Sequence, residues 1–191
     1  MKELHFENRE FGKIDFKKEK FSRGEYENCK IIDCNLSELN LSSFSFIECE
    51  FINCNLSNAK INNAALKDVK FINCKLLGIN FNDCDNFLLS IYFEDSNLNL
   101  ASFYKLNLKG VEFRNCNLKE VDFGEADLTN SNFENCDLSR AIFANTILEK
   151  ADFTTSYNYS IDPESNKIKK AKFSQMGVIG LLDKYDIIIK W

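Results

Sequence analysis

From Ile91 to Thr155 the chain is a run of thirteen five-residue units, each with a large apolar residue at its centre. The centres fall at Phe93, Leu98, Phe103, Leu108 and every fifth residue onward to Phe153, and Phe alternates with Leu without exception. Two residues before each centre stands a smaller, mostly uncharged residue, such as Ala101, Cys116, Ala126 or Ser131, and the other positions are largely polar. A helix repeats every 3.6 residues and a strand every 2, so a period of five leaves the face of either one. A short period kept over so many copies requires a solenoid, in which each copy buries its apolar residues against the next.

The order of small residue, polar residue, Leu or Phe and two polar residues stands unaltered in ADLTN, CDLSR, CNLKE and ADFTT. It resembles the pentapeptide-repeat family. That resemblance implies an all-β fold, a right-handed quadrilateral β-helix with one unit per side and twenty residues per coil, the centre and the small residue both pointing inward. The period of ten suits a square section. Phe then occupies two opposite sides and Leu the other two, so wide and narrow residues share each layer and fill the bore evenly.

One domain is expected over residues 1–191. Residues 1–23 keep Phe at steps of five, but Arg9 and Glu19 fall where a small inward residue belongs, and a lone charge cannot enter an apolar bore. They read as a degenerate N-terminal cap. Residues 24–155 are the regular coils, with a slip of two residues and a bulge near 82–92. If Leu88 takes the side after Phe81, four columns of centres run unbroken across the slip. Residues 156–170 hold the only proline and read as a projecting loop. Residues 171–191 add a last unit centred on Phe173 and a cap with a short helix and, at Ile187–Ile189, a strand. In that segment Val178, Ile179, Leu181, Leu182, Tyr185 and Trp191 serve as a plug over the last coil, or as a plug that also makes a homodimer.

All eight cysteines, Cys29, Cys34, Cys49, Cys54, Cys74, Cys84, Cys116 and Cys136, occupy the small inward position. Packed, reduced thiols are expected, with no metal site, since ligand sets use short spacings with convergent partners. No motif for a cofactor or a nucleophile is present, and the single His5 lies in the cap, so no catalytic residue is assigned and an enzyme is not expected. No apolar run is long enough to span a membrane and no signal peptide stands at the start, which points to the cytoplasm.

Charge carries the functional reading. Residues 31–160 hold 18 carboxylates against 10 Lys and Arg, whereas both ends are slightly basic. Glu94, Asp95, Glu112, Glu134 and Asp152 fall on one side of the coil with only Arg114 opposing them, an acidic ladder along one face. Solubility accounts for such a face without any partner. The stretch Glu19 to Phe51 is similar to the quinolone-resistance (Qnr-like) branch of the family, and that likeness implies a DNA-mimicking rod that binds type II topoisomerases, DNA gyrase or topoisomerase IV, and protects them against quinolones. The alternative is a scaffold or regulatory module for an unrelated protein. An acidic rod repels phosphates, so direct nucleic-acid binding is not expected.

Overall fold

The computed structural model describes residues 4–16 and 18–190. The chain winds as a parallel β-solenoid of about eight turns. Partners in neighbouring turns are twenty residues apart: Ile31 lies on Phe51, Phe51 on Phe71, and Phe113 on Phe133. The first face carries a nine-stranded sheet running from Glu10–Gly12 to Lys172–Phe173. A four-stranded sheet of Leu4–Glu7, Gly24–Glu27, Ser45–Ile47 and Ala65–Lys67 lies on the fourth. The second and third faces are joined turn to turn by single bridges, such as Asn97 to Asn117 and Ser102 to Asp122.

Each five-residue side turns its centre and the residue two before it inward, as the alternation of an extended chain dictates. Phe133 and Ser131, and Leu138 and Cys136, are both fully covered. The chain then turns a corner at the residue two after the centre. That residue is left-handed at nearly every corner, for instance Asn53 at φ 54°, Asn115 at 52° and Asn130 at 58°. Asn and Asp tolerate this region better than other side chains, and they recur there. Many corners close with a turn bond, such as Ala126 N–H to Phe123 O at 3.1 Å.

Phe fills two opposite columns. Within the first, rings stack with centroids 5.1–5.3 Å apart from Phe51 to Phe133. Phe123 of the third column meets Phe113 and Phe133 edge to face at 5.8 and 5.7 Å. These are the two arrangements an aromatic quadrupole favours. The void left among Phe46, Phe51, Ile61, Phe71 and their neighbours is about 10 Å³, at the lower limit for one water. All eight cysteines are free and buried. The thiols of Cys29, Cys34, Cys49, Cys54, Cys74 and Cys136 donate to carbonyls of the preceding turn, as from Cys49 Sγ to Tyr26 O at 3.2 Å and from Cys74 Sγ to Phe51 O at 3.3 Å. Ser96, Thr146 and Asn166 use the same place in the same way.

Four details differ from the sequence reading. The frame does not put Leu88 inward. It continues past Phe81 to Asn86, because Asp85 pairs with Ala65 and Leu88 takes the corner conformation at φ 59°. The two extra residues are Leu89 and Ser90, after which Ile91 rejoins the sheet over Val69. Phe87 and Leu88 are 66 % and 64 % exposed, and Leu89 packs against the core in place of the polar centre.

The segment 156–170 does not project. Tyr157 and Lys167 bridge to Asp137 and Ile147. Ser156, Tyr159, Ile161 and Asn166 are buried, so the segment closes one more coil. Residues 4–12 of the N-terminal cap are themselves in register, with Phe6 stacked on Tyr26 at 4.6 Å. Arg9 avoids the bore by lying exposed, its guanidinium 5.4 Å from the Phe6 ring. The C-terminal cap holds two 3-10 helices, Gly177–Leu181 and Asp183–Tyr185, and Ile187–Ile189 form no strand. Those isoleucines are exposed and pair with no strand. Gly180 is required where it stands, since a Cβ would come within 2.1 Å of the backbone oxygen of Tyr159.

Candidate functional site

The five carboxylates singled out in the sequence lie on the first face, distributed over three adjoining columns. Glu112 and Asp152 share the column before the Phe centres, which reads Tyr92, Glu112, Asn132, Asp152, Lys172. Glu94 and Glu134 share the column after the centres, with Arg114 between them. Asp95 sits at a corner, where it accepts from Asn115 Nδ2 at 2.9 Å, and Asn135 in turn donates to Asn115 at 3.2 Å.

Cations of the same face meet three of the five. Arg114 lies 3.8 Å from Glu94 and 3.1 Å from Glu134, and Lys172 lies 2.9 Å from Asp152. Partial burial works against ionisation of Asp152, yet its bonds to Thr154 and Lys172 hold the carboxyl below its usual range. Burial, and then the Glu94 carboxylate that accepts its hydroxyl at 2.9 Å, push Tyr92 up to about 12. Among the described residues Asp95 and Glu112 form no ion pair. The earlier turns of this face are balanced, Glu50 bridging Lys30 and Lys70 at 3.1 and 3.6 Å beside a half-buried column of Ile32, Ile52 and Ile72. The acidic excess is therefore confined to the turns from Tyr92 to Asp152.

In the C-terminal segment Leu181 packs against the core, and Ile179 and Leu182 are half-buried. Val178 and Tyr185 are 42 % and 48 % exposed. Tyr185 donates to Glu164, while Asp162 and Glu164 hold Lys184 above its usual range at 2.7 and 2.6 Å. Trp191 lies outside the described residues.

One grouping escaped the sequence reading. His5, Glu25 and Glu27 bring their ligand atoms within 4.8 Å of one another on the open fourth face. His5 Nδ1 is 3.1 Å from Glu25 Oε1, and Glu7 and Glu27 lie 3.9 and 3.8 Å from Nε2. The spacing of twenty between His5 and Glu25 is the signal that points to it, hidden where the first residues read as an irregular cap. Beside the bulge a shallow hollow of about 270 Å³ is lined by Leu88, Leu89, Asn107, Lys109 and Gly110. Among the described residues no helix is long and apolar enough to cross a membrane.

The model of the family described as pentapeptide repeat region matches residues 19–103, 44–123 and 87–153. No curated protein matches the sequence. Among solved structures, one similar in fold is a trypsin-treated variant of QnrB1, a plasmid-mediated fluoroquinolone resistance protein, at 21 % identity and a TM-score of 0.54 over 98 % of this chain and 92 % of that one. Another is HetL, a pentapeptide repeat protein involved in heterocyst differentiation regulation from the cyanobacterium Nostoc sp. strain PCC 7120, at 15 % identity and a TM-score of 0.62 over 90 % and 86 %. The matched residues span most of the regular coils, and the turn-by-turn register of twenty is the one that repeat produces: the chain belongs to the pentapeptide-repeat family.

Proposed function

We propose that the chain is a non-enzymatic protein-binding rod that presents the first face to the basic, DNA-holding surface of a type II topoisomerase, DNA gyrase or topoisomerase IV. The observation that carries this reading is the acidic excess confined to one flat face over the turns from Tyr92 to Asp152, where carboxylates stand on successive coils. Successive coils are about 4.8 Å apart. Binding of this kind is driven by complementary potential more than by packing. The fold likeness to a fluoroquinolone resistance protein is in keeping with it. A scaffold or regulatory role with an unrelated partner is favoured by a different observation: Arg114 stands between Glu94 and Glu134 and Lys172 follows Asp152 at the end of its column, so the face is not an unbroken run of negative charge.

The test compares two double variants of equal charge change in a gyrase supercoiling assay and a topoisomerase IV decatenation assay, with and without a fluoroquinolone. Glu112→Lys with Glu134→Lys removes the acidic excess. Glu120→Lys with Glu125→Lys alters other faces. Inhibition lost at least about tenfold in the first and kept in the second supports the topoisomerase reading. No effect of the unaltered chain on either enzyme at tens of micromolar overturns it and leaves the scaffold.

A further inference from the structure

The fourth face has an electrostatic gradient along the rod that the topoisomerase reading does not use. Its nine successive centres are Phe6, Tyr26, Phe46, Leu66, Asn86, Leu108, Leu128, Leu148 and Ile168, in the register set by the short sheet and by the bridges Asn107 to Asp127, Asp127 to Ile147 and Ile147 to Lys167. In the first two turns the outward positions carry Glu7, Glu25 and Glu27 around the single His5. In the last two they carry Lys150, Lys167, Lys169 and Lys170, all exposed, with Glu149 the one carboxylate among them. Among the described residues none of these four lysines has an ion-pair partner.

Between the two ends the five middle turns carry Glu48, Asp68, Asp85 and Asp127 against Lys67 and Lys109, a net of −2 spread along the face, and Lys109 is taken up by Asp127 at 3.3 Å. At the central turn, four turns from either end, stand the exposed side chains Phe87 and Leu88. Lys67 lies 5.5 Å from the Phe87 ring, and the 270 Å³ hollow opens beside Leu88.

We propose that the fourth face is the interface of an antiparallel side-by-side dimer, its occupant a second copy of this chain. A two-fold axis lying across the face at Phe87 sets the Glu7–Glu27 end of one protomer against the Lys150–Lys170 end of the other, twice. It also brings the two Phe87–Leu88 pairs together at the centre. That is the self-complementary arrangement an isologous interface requires. A parallel pairing would oppose like charges at both ends.

The area suffices. Nine levels about 4.8 Å apart and five extended residues across give a face of roughly 600 Å² per protomer. The pair then clears the total of about 1,000 Å² that a specific interface needs. Apolar side chains at the centre and charges toward the rim are the usual division of such a surface. The first face stays open on the flank of the dimer, so the two proposals stand or fall separately.

The experiment is sedimentation and small-angle scattering on the full chain in low salt, at concentrations from a few to about a hundred micromolar. The unaltered chain is expected to dimerise without lengthening, its largest dimension staying close to that of one rod. Glu7→Lys with Glu27→Lys makes both ends basic, and Lys169→Glu with Lys170→Glu makes both ends acidic. Each variant alone is expected to dimerise at least about tenfold more weakly, and an equimolar mixture to recover a one-to-one dimer. Phe87→Asp, on an exposed turn, should weaken the dimer with an unchanged circular dichroism spectrum. An unaltered chain that stays monomeric at a hundred micromolar overturns the proposal, and so does a dimer of doubled length, which would mean end-to-end contact through the C-terminal segment. Charge variants that associate as the unaltered chain does, or a mixture that fails to recover association, overturn it equally.

Discussion

At each corner one residue adopts φ near +50 to +60°, and the side chain it carries decides whether the corner is strained. Asn adopts this region at little cost, whereas an ordinary side chain loses about 1–2 kcal/mol there. Leu100 stands at φ 60°, 56 % exposed, and its backbone N–H bonds Lys119 O at 3.0 Å. Leu100→Asn is therefore expected to raise the free energy of unfolding by about 0.5–1 kcal/mol in urea titration. A decrease would show that Leu100 packs against something its exposure does not reveal. The inward small position makes an opposite demand, for compact groups that can satisfy a carbonyl, and thiols meet it. Burial pushes Cys49 up to about 11 and Cys84 up to about 12, with the Asp85 charge adding to the latter. Cys54 is pushed up first by the hydrogen bond it shares with Cys74 and then by burial. In the unfolded chain a thiol ionises near 8.5. Below that pH both states hold the proton and the full stability is present. Above it the unfolded chain releases protons that the folded chain keeps, so stability falls with rising pH until the folded thiols themselves ionise, near 11 for Cys49. The loss is roughly 2 kcal/mol per such thiol by pH 10. Urea midpoints measured between pH 8 and 10 should fall, and Cys49→Ser, which keeps a donor but does not titrate, should make the fall shallower.

The five-residue side is an element with its own rules, and most of it was legible because every rule repeats. Phe at alternate centres implied two opposite aromatic columns, and the rings stack there. Phe133→Ala opens a cavity between Phe113 and Phe153 that neighbouring turns, fixed by their own bonds, cannot collapse into. A loss of about 3–5 kcal/mol is expected. Asn117→Ala, whose side chain only caps the Lys119 N–H at 3.3 Å, should cost about 0.5 kcal/mol. Coincident denaturant midpoints for the two would contradict the inward assignment. Where the repeat lapses, legibility lapses with it. Asn86 is a polar residue at a centre, so apolar periodicity passes over it and gives the centre to Leu88. Segment 156–170 lost its Phe and Leu centres, and the bonds that bind it, Asn166 to Phe143 O at 3.0 Å and Ile161 N–H to Gly180 O at 2.9 Å, leave no hydrophobic signature. For the candidate site, the period of twenty is enough to set the five carboxylates on one side. Their division into three columns, and the ion pairs of Arg114 with Glu94 and Glu134, depend on which residue of each unit meets which in the next turn.

As a whole molecule the rod is nearly one-dimensional, since each turn touches only the turns before and after it, and local damage at an end should therefore stay local. The C-terminal end offers a sharp case. Gly180 lies against the backbone of Tyr159, and a Cβ there would stand 2.1 Å from Tyr159 O and 3.2 Å from its carbonyl carbon. Backbone in the last coil cannot give way as a flexible side chain could, so Gly180→Ala must displace the Gly177–Leu181 helix from the coil it covers. That displacement breaks the Ile161 N–H to Gly180 O bond and uncovers Tyr159, Ile161 and Phe173. The turns between Phe93 and Phe133 keep all their neighbours and should be indifferent. Hydrogen exchange is the measurement that separates the two regions. In Gly180→Ala the amide of Ile161 and those of residues 172–173 should lose protection by at least about tenfold, while the amides of Phe103, Phe123 and Asn132 exchange as in the unaltered chain. A uniform loss of protection along the rod would show that the C-terminal cap holds the whole solenoid in one cooperative unit, and that the turns do not depend on their neighbours alone.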